Sequence, residues 1–382
     1  MGALRYLAAS VPPRMASAGS VVALPILAVQ QMGDVAVGGL LVAASLGPSM
    51  LAAPLVGAVL DSTRRPGLWV AAAGMVTAAA FAVTAFVGSV PLAAVVAVLV
   101  MAGAVSPFYT GGLSSFAAGA IPDIRRAFAV DSLSYNASAV AGPAIVALIA
   151  VILPAQAALL VLAGAAALGP LALRTVGLRP HGRARGSLGE AIKAGLQRIF
   201  SHRPLAVVTV SSTFTQLGQG GLAIAAVALS IERMGTPGEG AAVVTAFAVG
   251  SLLGAVLETA RPARGRPHLV MMAGFLATGL FTVVAAIDVG TAWTVAAITL
   301  SGVFTASTNA AMLFLRNLHS PAHLRSQIFT VTAGFRVSAS AAGAALAGSA
   351  TGWGGAVTVA AVGVIWIAGA AMMGAYPRQQ SV

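Results

Sequence analysis

The chain has no cysteine and few charged or aromatic residues. The lack of cysteine excludes disulfides, thiolate metal sites and cysteine nucleophiles. Only 8% of the 382 residues are charged, whereas soluble domains carry about 25%. So few charges cannot cover a water-facing surface, so the composition argues against a soluble enzyme, a nucleic-acid-binding module or a disordered protein.

Small apolar residues are abundant instead. Hydrophobic residues make up 58% of the chain, and there are 44 glycines. Small side chains let helices approach closely in lipid, where packing drives association. An apolar bilayer core needs about 20 helical residues to cross it, and twelve nearly uncharged stretches of the chain reach that length. They are roughly 11–32, 36–60, 67–88, 91–115, 128–151, 154–176, 205–230, 240–260, 267–287, 291–315, 327–350 and 354–376.

The basic residues predict the topology. If the amino terminus is cytoplasmic, 19 of the 21 Lys and Arg residues fall on that side, while Arg233 lies outside and Arg336 lies within a span. This bias follows the positive-inside rule. We therefore expect a multi-pass protein of the inner or plasma membrane, with both termini cytoplasmic. The net charge of +12 then reflects topology, and no nucleic-acid partner is expected.

The second half of the chain repeats features of the first. The segment 57–62 recurs as 254–259 with conservative changes, and Gly103 matches Gly302 at a similar offset of about 200 residues. Each half contains an even number of spans, so the two halves have the same orientation and form parallel repeats. The predicted fold class is an all-α membrane protein with twelve transmembrane helices in two parallel-related six-helix bundles.

The repeat also predicts the domain boundaries. Residues 1–176 form the N-terminal bundle, residues 204–382 form the C-terminal bundle, and residues 177–203 form a cytoplasmic linker. Within the linker, apolar residues recur at helical spacing from Ser187 to Phe200, which predicts an amphipathic surface helix capped by Ser187.

The loop after the second predicted span resembles the signature of the major facilitator superfamily. Gly57, Asp61, Arg64 and Arg65 carry the resemblance, although Ser62 and Arg64 replace residues that are usual there. The resemblance extends to the twelve-span layout of the whole chain. It implies a major facilitator fold in which this loop latches the cytoplasmic side.

The physical reading of this loop agrees with a latch. Asp61 would lie near the N-terminus of a neighbouring span, where the helix dipole favours an anion, and Arg64 or Arg65 would pair with Asp123. The predicted cytoplasmic gate comprises Gly57, Asp61, Arg64, Arg65, Asp123, Arg126, Glu258 and Arg261.

The fifth predicted span resembles bacterial drug and metabolite exporters of the superfamily. Asp131 and Asn136 are followed there by Gly142-Pro143. Two interpretations of Asp131 remain open at this stage: it pairs with Arg126 or joins the gate, or it carries a coupling proton, which would require desolvation to favour its neutral form. The arginine that many proton antiporters carry in span four has no counterpart here.

Few polar residues lie within the spans, and buried polar groups in a membrane are functional candidates. Arg336 lies about 16 Å along a helix from Arg325 and needs an acid, helix carbonyls or an anionic substrate as partner. Arg14, near the end of the first span, is expected to snorkel towards water. The predicted substrate cavity comprises Tyr109, Thr110, Tyr135, Asn136, Gln216, Gln219, Asn309 and Arg336.

A mostly apolar cavity with a few hydrogen-bonding groups suits amphipathic compounds. We therefore expect a secondary transporter that exports a small, largely apolar or amphipathic compound by alternating access, with proton antiport as one option. The alternatives are an importer or facilitator of a small metabolite, with an anion recognised by Arg336 as one option, and, in another class, a non-transporting membrane sensor or scaffold.

The sequence predicts no enzyme activity and no cofactor. It has no phosphate-binding loop, its five histidines lack metal-ligand spacing, and the predicted topology separates its acidic residues. The expected partners are a small-molecule substrate, protons in the case of antiport, and the lipid bilayer. We expect the protein to be a monomer.

Overall fold

The computed structural model describes residues 2–33, 35–174, 176–180, 188–234 and 240–377. These residues form fifteen α-helices and three short 3-10 helices, and no β-strand occurs among them. The helical fold class predicted from the composition is confirmed.

The first half of the chain contains six long membrane helices, the fourth of which is interrupted. Its irregular part, residues 106–120, contains a 3-10 turn and two single-turn helices, α5 and α6. The helices are α1 (Gly2–Met32), α2 (Val35–Ser62), α3 (Pro66–Thr84), α4 (Leu92–Val105), α5 (Gly111–Ser114), α6 (Ala117–Ala120), α7 (Ile124–Ile152) and α8 (Ala155–Leu173).

The second half contains six further long helices after the linker helix α9. They are α10 (Arg203–Met234), α11 (Gly240–Ala260), α12 (Pro267–Ala285), α13 (Thr291–His319), α14 (Arg325–Ala350) and α15 (Gly355–Met373). Each of the twelve predicted spans therefore coincides with a helical segment.

Ten helices within the described residues are long and apolar enough to cross a membrane. Helices α10 and α14 are not among these ten, although they contain 32 and 26 residues. Both contain several polar residues, including Gln216 and Gln219 on α10 and Arg336 on α14. Each of these two helices thus carries part of the predicted substrate site.

The linker contains the predicted amphipathic helix, α9 (Leu188–Ser201). Ile199 is fully buried, whereas Lys193 on the opposite face is exposed. The predicted cap, Ser187, lies outside the described residues.

The chain divides into two compact units. Unit 1 comprises Met1–Leu196 with Pro321–Gly334, and unit 2 comprises Gln197–Ser320 with Phe335–Val382. The first ten residues of α14 thus belong to unit 1, and the rest of α14 belongs to unit 2.

The helices of the two units pack in the same pattern. In unit 1, α1 packs on α8, α2 packs on α4, and α3 packs on both α4 and α8. In unit 2, the equivalent pairs are α10 with α15, α11 with α13, and α12 with α13 and α15. This shared pattern of neighbours agrees with the sequence repeat.

The matched glycines of the repeat make equivalent contacts. A Cβ at Gly103 of α4 would lie 2.7 Å from the Ser45 carbonyl oxygen on α2. A Cβ at Gly302 of α13 would lie 2.3 Å from the Phe247 carbonyl oxygen on α11. Both helix crossings therefore require glycine, because any side chain would separate the backbones.

Helices α1 and α7 cross equally closely. A Cβ at Gly142 would lie 2.5 Å from the Met15 carbonyl oxygen and 2.6 Å from the Gly19 nitrogen. Gly142 belongs to the Gly-Pro pair that resembles the exporter motif, so here that pair lets the two backbones touch.

We predict that Gly142→Leu lowers the free energy of unfolding by about 1–3 kcal/mol, because the added side chain has no space between α1 and α7. The measurement is Tm of the purified protein in detergent. Gly164→Leu on α8 is the matched control, since a Cβ there meets no atom within 4 Å. Equal Tm values for the two variants would contradict close packing at Gly142.

Candidate functional site

A buried ion pair joins α1 to α7 in unit 1. The Arg14 Nη1 atom lies 2.7 Å from Asp131 Oδ1, and the two side chains are 2% and 0% exposed. A second ion pair joins Arg233 to Asp288, whose side chain is 73% exposed. Arg14–Asp131 is therefore the deeply buried pair of the described structure.

The Arg14 guanidinium is held by several further groups. Its Nε atom donates to the Tyr109 carbonyl at 3.0 Å, and Nη2 donates to the Ser114 hydroxyl at 3.0 Å. Nη1 also donates to the Ser134 hydroxyl. The guanidinium carbon lies 3.8 Å from the ring centroid of Tyr135, a cation–π distance. These contacts fix the position of the charge.

The two oxygens of Asp131 differ. Oδ1 accepts hydrogen bonds from Arg14 and, at 2.7 Å, from the Tyr6 hydroxyl. Oδ2 is buried and has no hydrogen-bond partner among the described residues. The carboxylate thus has one fully engaged oxygen and one oxygen able to accept a further hydrogen bond.

The sequence-based expectations for Arg14 and Asp131 were wrong in their partners. Arg14 does not snorkel, because α1 begins at Gly2, not near residue 11, and places Arg14 three turns inside the helix. Asp131 does not pair with Arg126, because five helical residues rotate the side chain by about 140° and Arg126 is exposed.

The other predicted cavity residues of unit 1 lie near this pair. The Tyr109 hydroxyl hydrogen-bonds with Ser17 at 2.9 Å and Thr77 at 3.2 Å. The Thr110 carbonyl accepts a hydrogen bond from Arg14 Nη2 at 3.2 Å, and Thr110 is half-buried. Tyr109, Thr110 and Tyr135 therefore surround Arg14.

Asn136 is engaged locally. Its side-chain nitrogen donates to the Ser132 carbonyl one turn earlier on α7, at 2.8 Å. The side chain is half-buried. The expected cavity shared by Tyr135, Asn136 and Arg336 stays a prediction, because the first two residues lie in unit 1 and Arg336 lies in unit 2.

In unit 2, two predicted cavity residues contact each other. Arg336 Nη2 donates to Asn309 Oδ1 at 3.0 Å, so a neutral amide is one partner of the intramembrane arginine. Gln216 and Gln219 lie three residues apart on α10, and both are half-buried. Residues three apart lie on the same side of a helix, so α10 presents both amides together.

Arg316 is a buried arginine that the predicted topology assigns to the cytoplasmic side, beyond the end of its span. It is 2% exposed and donates from Nη2 to the Ser212 hydroxyl at 2.9 Å. It belongs to α13, which continues to His319 instead of ending near residue 315. The predicted span ended one turn too early, so Arg316 was not identified from the sequence as a buried charge.

The predicted gate residue Asp61 lies at a helix N-terminus, as its charge indicated. Its Oδ1 accepts from the Ser326 backbone N–H and its Oδ2 accepts from the Gln327 N–H, both at 2.9 Å. Asp61 is 1% exposed. A carboxylate at the start of α14 satisfies two N–H groups that have no partner within the helix and is stabilised by the helix dipole.

Gly57 lies one turn before Asp61 and allows α2 to approach α14. A Cβ at Gly57 would lie 2.3 Å from the Gln327 Cα atom and 2.4 Å from Thr330 Oγ1. Gly57 and Asp61 thus act on the same turn of α14, one by close contact and the other by hydrogen bonding.

The remaining predicted gate contacts are not formed. Asp123 does not pair with Arg64 or Arg65, because its carboxylate caps α7 and accepts from the Arg125 and Arg126 N–H groups at 2.9 and 3.2 Å. The side chains of Arg64, Arg65 and Arg126 are exposed. A helix cap close in sequence has displaced the expected ion pair.

The repeat partner of Asp61 behaves differently. Glu258 accepts a hydrogen bond from the Ala263 N–H within its own loop at 2.9 Å, and Arg261 is exposed. The repeat therefore conserves the helix packing but not the carboxylate-to-helix contact.

Aromatic and imidazole rings cluster in unit 2. His319 Nε2 lies 2.6 Å from the Tyr376 hydroxyl, and the rings of His202 and His319 are 5.2 Å apart. Burial and the nearby Arg198 lower the pKa of His202, and burial raises the pKa of Tyr376, so both groups favour their neutral forms. Within the described ranges, no group of three or more potential ligands is arranged to hold a metal ion.

Comparison with known proteins identifies the fold. A family model described as Major Facilitator Superfamily matches residues 9–344. The human organic anion transporter MFSD10 (TETRAN) has a similar structure, with a TM-score of 0.79, 14% sequence identity, and coverage of 97% of this chain and 99% of that chain. No curated protein sequence matches this chain.

Two further solved structures have the same architecture. A bacterial homologue of the iron transporter ferroportin in an outward-facing state has a TM-score of 0.74 at 17% identity, covering 97% of this chain and 100% of that chain. The proton:xylose symporter XylE has a TM-score of 0.72 at 10% identity, covering 98% of this chain and 95% of that chain. At these identities the similarity concerns the fold.

The Arg14–Asp131 pair makes a testable prediction about stability. Removing one partner of a buried ion pair leaves an uncompensated buried charge and costs about 3–5 kcal/mol, whereas replacing both partners leaves no charge uncompensated and therefore costs less. We therefore expect Arg14→Gln and Asp131→Asn each to lower Tm in detergent strongly, and the double variant to recover most of the loss. A double variant with a Tm at the sum of the two single losses would contradict the pairing.

Proposed function

This chain belongs to the Major Facilitator Superfamily and is a membrane transporter, and from that premise we propose that it exports a small, largely apolar or amphipathic compound in exchange for protons by alternating access. The observation that carries the proposal is the buried Arg14–Asp131 pair. An ionisable pair inside apolar helices is expensive to bury, and ionisable groups within membrane spans mark proton relays and substrate or ion pathways.

Asp131 is the proposed proton carrier. Its Oδ2 atom is buried without a hydrogen-bond partner among the described residues, so a proton can bind there without displacing Tyr6 or Arg14 from Oδ1. Protonation would remove the negative charge of Asp131 and, with it, the ion-pair attraction to Arg14, leaving a hydrogen bond in which only the guanidinium is charged. The link between α1 and α7 would then weaken in the protonated state.

Export is supported by the exporter-like motif of α7. Its Gly142 lies directly against α1, at the helix crossing that follows the ion pair in sequence. A change in the Arg14–Asp131 contact would therefore act on two helices whose backbones already touch. This arrangement suits coupling of proton binding to helix movement.

The proposed substrate contacts are few and polar within an apolar setting. Thr110, Tyr135 and Asn136 in unit 1, and Gln216, Gln219, Asn309 and Arg336 in unit 2, are all half-buried. Such groups orient a ligand by hydrogen bonds while apolar residues hold its body. The proposal further places the protein in the cell membrane as a monomer, with both termini cytoplasmic.

The contact of Asp61 with α14 is the proposed inner gate, defined here by Gly57, Asp61, Ser326 and Gln327. Its carboxylate holds the first turn of α14 by two hydrogen bonds. During alternating access this contact would form when the cytoplasmic side is closed and break when that side opens.

We expect cells that express the protein to accumulate less of some fluorescent amphipathic compounds, and a protonophore to abolish the difference. Asp131→Asn should raise accumulation to the level of cells without the protein, because no proton can be exchanged. Asp288→Asn, which removes an exposed acid, is the control.

Where Asp131→Asn expresses poorly, the Arg14→Gln/Asp131→Asn double variant replaces it in the same assay. Wild-type export by a well-expressed Asp131→Asn variant, with unchanged sensitivity to the protonophore, would refute proton coupling through Asp131. Protein-dependent uptake across the compound panel would support the importer instead.

A second prediction concerns the inner gate. Asp61→Asn removes the charge that the N-terminus of α14 favours, so we expect it to reduce export. The reporter is a cysteine introduced as Ser326→Cys, because Ser326 is buried. We expect maleimide to label this cysteine faster in the Asp61→Asn background. Glu190→Gln, which neutralises an exposed carboxylate on α9, is the control. Slower labelling in Asp61→Asn would contradict the gate.

A further inference from the structure

Gln327 lies where three helices meet in unit 1. Its backbone N–H donates to Asp61 of α2. Its Cα atom lies against Gly57, which also belongs to α2. Its side chain lies under Gly195 of the linker helix α9, where a Cβ would be 2.5 Å from Cδ, 2.7 Å from Nε2 and 2.8 Å from Oε1. Glycine at position 195 therefore lets α9 lie on the carboxamide.

Within the described ranges, the carboxamide of Gln327 makes no hydrogen bonds in this position. Gln327 is fully buried, and neither Oε1 nor Nε2 has a hydrogen-bond partner among the described residues. A primary amide removed from water without new partners is strongly unfavourable. The backbone of Gln327 is satisfied by Asp61, so the unfavourable contribution is confined to the side chain.

We propose that α9 is a lid on the inner gate, and that the unsatisfied Gln327 carboxamide beneath Gly195 keeps the closed gate reversible. Gly57 and Asp61 stabilise the closed arrangement, whereas Gln327 opposes it. When α9 lifts, the carboxamide regains water and its cost disappears. Gln327 is thus a positioning residue that sets the balance between closed and open gates, and the inference rests on the proposed gate function.

The linker helix has the features that such a lid requires. Its buried face includes Gly195 and Ile199, and its opposite face exposes Lys193 and Gln197 to water. The helix is therefore amphipathic. An amphipathic helix packs on the protein by its apolar stripe and leaves its polar face in water, so α9 can cover the gate while its other face stays solvated.

The experiment uses maleimide labelling of Ser326→Cys in membranes. The chain has no native cysteine, so this single thiol reports opening of the gate. Gln327→Met keeps the length of the side chain and removes the unsatisfied polar atoms. We expect it to slow labelling roughly fivefold or more, because an unsatisfied buried polar group shifts an equilibrium by at least that factor, and to raise Tm.

Gly195→Val should act in the opposite direction. Its side chain has no room above the carboxamide, so labelling should be faster by a similar factor. Gly189→Val is the matched control on the same helix, because a Cβ there meets no atom within 4 Å. Gly195→Val/Gln327→Ala shortens the residue beneath and should return labelling towards the rate of the Ser326→Cys reference.

Two results would overturn the proposal. One is a Gln327→Met variant that labels as fast as the reference with no gain in Tm. The other is a Gly195→Val variant that labels like Gly189→Val. Labelling does not depend on the transported compound, so a response to these variants without any export would uphold the lid and refute the export function, whereas export with unresponsive labelling would refute the lid alone.

Discussion

The structure depends on how buried charged side chains are stabilised within helices that contain very few other charged residues. Arg14 and Asp131 are both almost completely buried, and they contact each other at 2.7 Å. Desolvating two such groups is expensive unless each finds excellent partners. Arg14 meets that requirement with backbone carbonyls, hydroxyls and the ring of Tyr135. The pair therefore fixes the register of α1 against α7, which the glycine contact at Gly142 allows to be close.

Much of the fold follows from the sequence, because composition and repetition are global signals. Long uncharged runs predict the helices, and the matched glycines Gly103 and Gly302 occupy equivalent helix crossings. Asp61 was also predictable as an anion at a helix N-terminus, since it combines a local charge with a general property of helices. The predicted ion-pair partners and some predicted helix ends were wrong. The true start of α1 at Gly2 and the true end of α13 at His319 decide that Arg14 and Arg316 are buried, and apolar periodicity locates helix ends poorly.

The two repeats have kept their packing and changed their chemistry. Helices α2 and α11 both cross their neighbours at glycine, yet Asp61 holds the first turn of α14 while Glu258 stays with its own loop. Each packing contact requires only that no side chain stands between the two backbones, and glycine meets that condition in both repeats. A carboxylate at a helix N-terminus needs one residue at one position. The ion pairs differ in the same way, because Arg14–Asp131 in unit 1 is buried, whereas Arg233–Asp288 in unit 2 has an exposed carboxylate.

Within unit 1, one of two adjacent serines contacts the ion pair and the other contacts the proposed gate. Ser114 accepts a hydrogen bond from Arg14, and Ser115 shares one of 3.1 Å with Ser326. Both serines belong to the irregular stretch 106–120, where the long helix is broken into short turns. Neighbouring residues cannot move independently. A displacement of Arg14 on protonation of Asp131 would therefore reach the first turn of α14 through a single peptide unit, which gives the coupling between proton and gate a short physical route.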